Sequence, residues 1–126
     1  MRTTLAPDGV IPLGAVILDL FAAIDAHDWH SLESFFHPEI VYERPGYPPI
    51  VGVERLLRFY REQRVIAAGE HIIERIVVAG PYGACWGRFL GVKKDGSLAD
   101  ELFADVYSFE GGAIRARRSH FFRPAL

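Results

Sequence analysis

Glu101-Leu102-Phe103-Ala104-Asp105-Val106-Tyr107-Ser108-Phe109 reads as a β-strand of strict period two. Successive side chains of a strand point to opposite faces, so Glu101, Phe103, Asp105, Tyr107 and Phe109 share one side. Three further strand-like runs flank it: Ile72 to Val78, Ala84 to Val92 and Ile114 to Phe122. The separators are Gly80-Pro81-Tyr82-Gly83, Lys94-Asp95-Gly96 and Glu110-Gly111-Gly112. They are short and turn-rich, which predicts an antiparallel meander.

Upstream the period changes. Val16, Ile17, Leu20, Phe21 and Ile24 recur at helical spacing between Gly14 and Ala26. Asp28 offers a cap for a second helix, Trp29 to Phe36, closed by Pro38. Ile40 to Arg44 is a short strand before Pro45-Gly46, and Val53 to Arg64 returns to helical spacing through Leu56, Leu57 and Tyr60. Helices segregated from antiparallel strands define an α+β domain. The expectation is one continuous, strongly curved antiparallel sheet with the Val16 helix across its concave side. The 126 residues have room for a single domain, with residues 1–13 as an extended lead-in.

The formal charge of −2 argues against nucleic acid as a partner, because tracking a phosphate backbone needs a clustered positive surface. No stretch approaches the ~20 apolar residues of a membrane span. The first residues lack the apolar core of a secretion signal, so the expected location is the cytoplasm. Cys85 is alone in an apolar run and reads as core filling. The five histidines form no metal-ligand spacing, and no phosphate loop, nucleophile elbow or dinucleotide fingerprint is present.

Candidate site residues follow from strand phase. Asp105 shares a face with Phe103, Tyr107 and Phe109, where a carboxylate loses hydration and its proton affinity becomes adjustable. Trp86, Arg88 and Leu90 share a face on the preceding run, which lets Arg88 approach Asp105 as an ion pair or a substrate clamp. Tyr42 and Arg44 project together from the first strand, and a Tyr hydroxyl in an apolar cavity can donate to a developing oxyanion. Tyr60 is a core or pocket residue. The last run has two possible phases: regular alternation turns His120 inward, whereas a bulge turns Arg117 and Ser119 inward.

Leu18 to Val41, Tyr42 to Gly46, Gly52 to Tyr60, Ala104 to Phe109 and Gly112 to Phe121 together resemble SnoaL-like polyketide cyclases and ketosteroid isomerases of the nuclear-transport-factor-2-like superfamily. The resemblance implies a cone-shaped, mostly antiparallel sheet wrapped by about three N-terminal helices. It further implies one small-molecule pocket, no cofactor and a homodimer. Of the ketosteroid-isomerase positions, Leu20 stands where the oxyanion Tyr would be, Arg44 where the general base would be, and Asp105 matches the acidic oxyanion donor. Of the limonene-epoxide-hydrolase positions, Arg88 and Tyr42 match the Arg and Tyr. Leu90, Ser119 and Arg44 replace the two Asp and the Asn.

The expected activity is therefore cofactor-independent isomerisation or cyclisation of a hydrophobic, oxygenated small molecule. Asp105 would be the acid/base, with Tyr42 and Arg88 beside it. Arg44, His120, Trp86, Phe103, Tyr60 and Leu20 would line the substrate. A non-catalytic binding module and an epoxide hydrolase with rearranged residues are the alternatives.

Overall fold

The computed structural model describes residues 12–123, so all but the end of the expected lead-in lies outside the described residues. The chain runs α1 (Leu13–Asp25), α2 (Trp29–Glu33), β1 (Phe36–Glu43), β2 (Ile50–Val51) and α3 (Val53–Arg58). A π-helical turn, Phe59–Gln63, extends α3, and β3 (Ile66–Ala79), β4 (Tyr82–Lys93), β5 (Leu98–Glu110) and β6 (Ala113–Phe121) follow.

The apolar stripe of α1 is buried as its spacing requires: Val16, Ile17, Leu20, Phe21 and Ile24 all leave solvent. Asp28 caps α2 by accepting from the Ser31 amide at 3.1 Å. That helix stops three residues earlier than its sequence suggests, and Pro38 lies inside β1 instead of ending a helix. The β1–β6 pairing slips between Phe36 and Val41. A proline there gives up no ladder hydrogen bond.

The six strands form one sheet in the order β2-β1-β6-β5-β4-β3. β3 to β6 make the expected antiparallel meander, and β1 joins it parallel to β6. The cone-shaped, strongly curved sheet expected from the sequence is not what forms. The sheet is mixed and open, neither closed nor strongly curled. Closure demands that the edges pair. Here β2 is a two-residue edge with nothing to propagate, and β3 ends the sheet on the other side.

Helices pack on one face, and the core lies between them and the inward side chains of β1, β4, β5 and β6. Ile17, Leu20, Ile24, Leu32, Ile40, Leu56, Phe59, Phe89 and Ile114 are its most buried aliphatic and phenyl groups. β5 alternates as expected, with Phe103, Asp105, Tyr107 and Phe109 inward. β4 has the phase opposite to the one its pocket residues required. Cys85 and Phe89 point inward, while Trp86, Arg88 and Leu90 are exposed on the outer face. β6 takes its bulged phase: Ile114 pairs with Phe109 but Ala116 with Ser108, leaving Arg115 as the extra residue. Arg117 and Ser119 consequently turn inward and His120 outward.

Candidate functional site

Asp105 and Arg117 meet beneath the helices because Tyr107, two residues from Asp105, is the ladder partner of Arg117. Arg117 donates to Asp105 Oδ2 from Nε at 3.0 Å and from Nη2 at 2.8 Å. The Tyr107 hydroxyl donates to the same oxygen at 3.0 Å. The third guanidinium arm, Nη1, donates to Tyr60 Oη at 2.7 Å. The pair is almost fully buried, Asp105 at 1% and Arg117 at 4% exposure. Three donors thus crowd Oδ2, while the buried Oδ1 has no hydrogen-bond partner among the described residues. Such an orphan acceptor is costly in a native interior and calls for a physical reason.

The surrounding groups are tuned by the same burial. Desolvation opposes the charge on Arg117, but Asp105 and the neighbouring tyrosines outweigh it and hold the guanidinium well above its ordinary range. Burial, then the charge of Asp105, pushes the Tyr107 hydroxyl far up. Burial also raises Tyr60, against the opposing pull of Arg117, so both hydroxyls keep their protons. Tyr42 Oη lies 2.7 Å from Ser119 Oγ and accepts from Arg44 Nη1 at 3.3 Å. The Arg44 guanidinium packs over the Tyr47 and Phe59 rings at 5.4 and 5.1 Å. Cys85 is fully buried, as expected of core filling, and burial with Asp105 pushes its thiol up to about 11. It is no nucleophile.

A second acid/base pair lies nearby. Asp25, in the last turn of α1, accepts the His71 backbone N–H at 2.8 Å through Oδ2, and its Oδ1 lies 2.6 Å from His71 Nδ1. The ring rests against Phe21 and Phe89, each with centroids 4.6 Å away, and edge-on to Phe103. Burial lowers the proton affinity of His71, and its hydrogen bond to Asp25 offsets this only in part. With Nδ1–H given to Asp25, Nε2 carries the lone pair.

Both clusters line one cavity of about 30 Å³. That is room for roughly two waters or a small polar head group. Two depressions open at the surface are larger, about 380 and 290 Å³, and the charged pair on the first, Glu43–Arg118, is half exposed to water. Among the described residues, no group of three or more His, Cys, Asp or Glu is arranged to hold a metal ion.

Of the residues expected at the site, Tyr42, Arg44, Tyr60, Phe103 and Asp105 line this cavity. Leu20 is buried in the core and does not line it. Arg88, Trp86 and His120 are corrections. All three point to the outer face, and Arg88 pairs there with Asp100 at 2.8 Å instead of approaching Asp105. The cation that meets Asp105 is Arg117. Asp25, His71 and Arg64 were not anticipated. Asp25 alone left a sequence signal, since a carboxylate in the last turn of a helix opposes the helix dipole and needs a compensating partner.

A fold and cavity of this kind mark a small α+β ligand-binding or catalytic domain. The profile of the SnoaL-like domain family matches residues 17–117, and the chain belongs to that family. Solved structures agree on the fold. An NTF2-like protein of unknown function from Burkholderia pseudomallei superposes with a TM-score of 0.77 at 18% identity, covering 84% of this chain and 87% of that one. A protein described as a SnoaL-like polyketide cyclase from Jannaschia sp. CCS1 gives 0.75 at 15% identity, over 85% and 83% of the two chains. An epoxide hydrolase of the LEH-like type from M. tuberculosis gives 0.77 at 18%, over 86% and 81%. No curated protein sequence matches the chain. Family and fold are consistent with small-molecule-acting SnoaL-like enzymes as a group and select no reaction within it.

Proposed function

We propose that the chain is a cofactor-independent acid/base enzyme acting on a small oxygenated molecule, with proton transfer leading to isomerisation, cyclisation or dehydration. The observation that carries this reading is the orphan Oδ1 of Asp105, buried at the wall of a polar cavity. Arg117 neutralises the carboxylate's charge through Oδ2 and leaves Oδ1 to meet a substrate proton. His71, oriented by Asp25, supplies a second proton-transfer atom at Nε2 on the same cavity. The Tyr60 hydroxyl, held protonated by burial, can donate to a substrate oxygen, and the Tyr42 hydroxyl lies on the same cavity.

Deuterium uptake tests this without knowledge of the natural substrate. In heavy water, a panel of small enolisable ketones and enones is followed by mass spectrometry. Asp105→Asn is expected to slow exchange by ~10²–10⁴, the usual contribution of one positioned acid/base group. Exchange at the wild-type rate would overturn the reading. Losing one partner of a buried ion pair costs about 3–5 kcal/mol. Asp105→Asn/Arg117→Gln, with no buried charge left at the pair, is therefore the folded control.

A second reading, water addition to an epoxide, is favoured by a specific arrangement: a carboxylate beside an Arg, with Tyr42 on the same water-sized cavity. The solved neighbour named as an epoxide hydrolase carries the same fold. Heavy-oxygen water entering a diol product distinguishes it. Neither signal with any compound would assign the chain to non-catalytic binding, the role that the aromatic walls and small volume favour.

A further inference from the structure

We propose that Arg64 makes this cavity a receptor for a carboxylate or similarly localised oxyanion, so that the substrate is an anion rather than a neutral ketone or steroid. The inference rests on the cavity being the reaction site.

Arg64 ends the π-helical turn with extended backbone, φ −65° and ψ 136°. It is 7% exposed and lines the cavity together with Asp105 and His71. No carboxylate among the described residues lies within ion-pair distance of it. Its close partners are the faces of Tyr60 and Phe89, at 5.5 and 5.7 Å. The two acids near enough to help are already engaged, Asp105 by Arg117 and Asp25 by His71. Arg44, the other nearby charge, has the same sign and makes matters worse.

Within the lining Arg117 and Asp105 already form a pair, so the guanidinium of Arg64 is a further positive charge that no lining carboxylate matches. Arg does not shed its proton under ordinary conditions, so a buried one without a counter-ion is stabilised by the ligand that brings one. Burial weakens the proton affinity of Arg64, consistent with a missing anion. A guanidinium presents a planar fork that fits two carboxylate oxygens at once. The cavity, about 30 Å³, accepts such a head group but no ring, so the rest of the ligand lies outside it.

Matched probes test the proposal: acetate and benzoate against acetamide and benzamide, by calorimetry and by shift of the unfolding temperature. The expected result is at least a tenfold preference for the carboxylates, abolished by Arg64→Met and partly kept by Arg64→Lys. Arg64→Met should also leave the ligand-free unfolding temperature unchanged or raised, because it removes an uncompensated buried charge. A merely structural Arg64 would lower it. Should the Met variant fail to fold, the Arg64 Nε–H resonance of the wild-type protein is read instead, and must move with benzoate but not with benzamide.

Equal affinity for acid and amide, binding of neither, or a preference that survives Arg64→Met overturns the proposal. The two readings fail separately. Carboxylate preference lost in Arg64→Met, with deuterium exchange unchanged in Asp105→Asn, would keep the anion site and remove the acid/base assignment. The reverse pattern would do the opposite.

Discussion

An imidazole packed against three phenyl rings resists protonation, and three charged groups around His71 modulate that resistance. Asp25 on α1 favours its charge, whereas Arg64 beyond the π-helical turn and Arg117 on β6 oppose it. The folded proton affinity lies below that of a free histidine. As pH falls below about 6.5, the unfolded chain takes up this proton first. Stability is therefore fully present above that pH and is lost as pH drops through the window down to the folded value. His71→Gln should remove its share of this dependence, which cannot exceed about 1.4 kcal/mol per pH unit for one proton. Urea unfolding at pH 7, 6 and 5 measures it, and an unaltered slope in the variant would mean that His71 is not held neutral. Asp25→Asn should act the other way and steepen the loss, since it removes the offset. Little of this was legible in the sequence. His71 sits on a strand whose pairing slips twice, between Ile66 and Ala68 and between Ile73 and Arg75, so period-two counting has no fixed origin there.

Strand phase was readable where the aromatic residues mark one face and unreadable where they fall on both. In β5 the aromatic positions are confined to one side, and the alternation placed Asp105 inward correctly. In β4 the outward set, Trp86, Arg88 and Leu90, looks more core-like than the inward set of Cys85, Gly87 and Phe89, and the pattern misleads. Glycine explains the inward choice. At Gly87 a Cβ would overlap the Ile72 carbonyl, so β3 approaches β4 there more closely than any side chain permits. Gly69 and Gly91 flank the Phe89 ring in the same way, giving it the space from which it walls the cavity. Gly87→Ala should therefore cost about 1–3 kcal/mol or more, as overpacking of a rigid neighbour does. In a chain of this length that is a fall of roughly 4 °C in unfolding temperature per kcal/mol. An alanine variant that melts with the wild type would show that the two strands can part without loss. The β6 bulge was one of two phases open from sequence. Arg115 carries no glycine or proline to announce it.

Local periodicity predicted the meander and the helices packed on it, because those follow from neighbours in sequence. It did not predict an open sheet, because closure depends on whether the two distant edges, β2 and β3, find each other. The open sheet leaves an entire face without helices. An antiparallel face turned to water is ordinarily polar. This one carries Ile72, Trp86, Leu90, Leu102 and Val106, each 38–44% exposed, on three adjacent strands. The Arg88–Asp100 pair lies among them, each charge matched by the other. Contiguous apolar surface of this kind marks an association site. The homodimer expected from the family resemblance would bury this patch against a second copy across a twofold axis. Sedimentation equilibrium should find a dimer at about 100 μM, within reach of a standard interface of about 800 Å² per partner. Trp86→Glu and Leu102→Glu each place like charges across the axis and should return the chain to a monomer without lowering its unfolding temperature. The cavity lies on the other side of the sheet, so deuterium exchange should persist in these monomers. A wild-type chain that sediments as a monomer at that concentration would leave the apolar face to some other partner and sink the dimer.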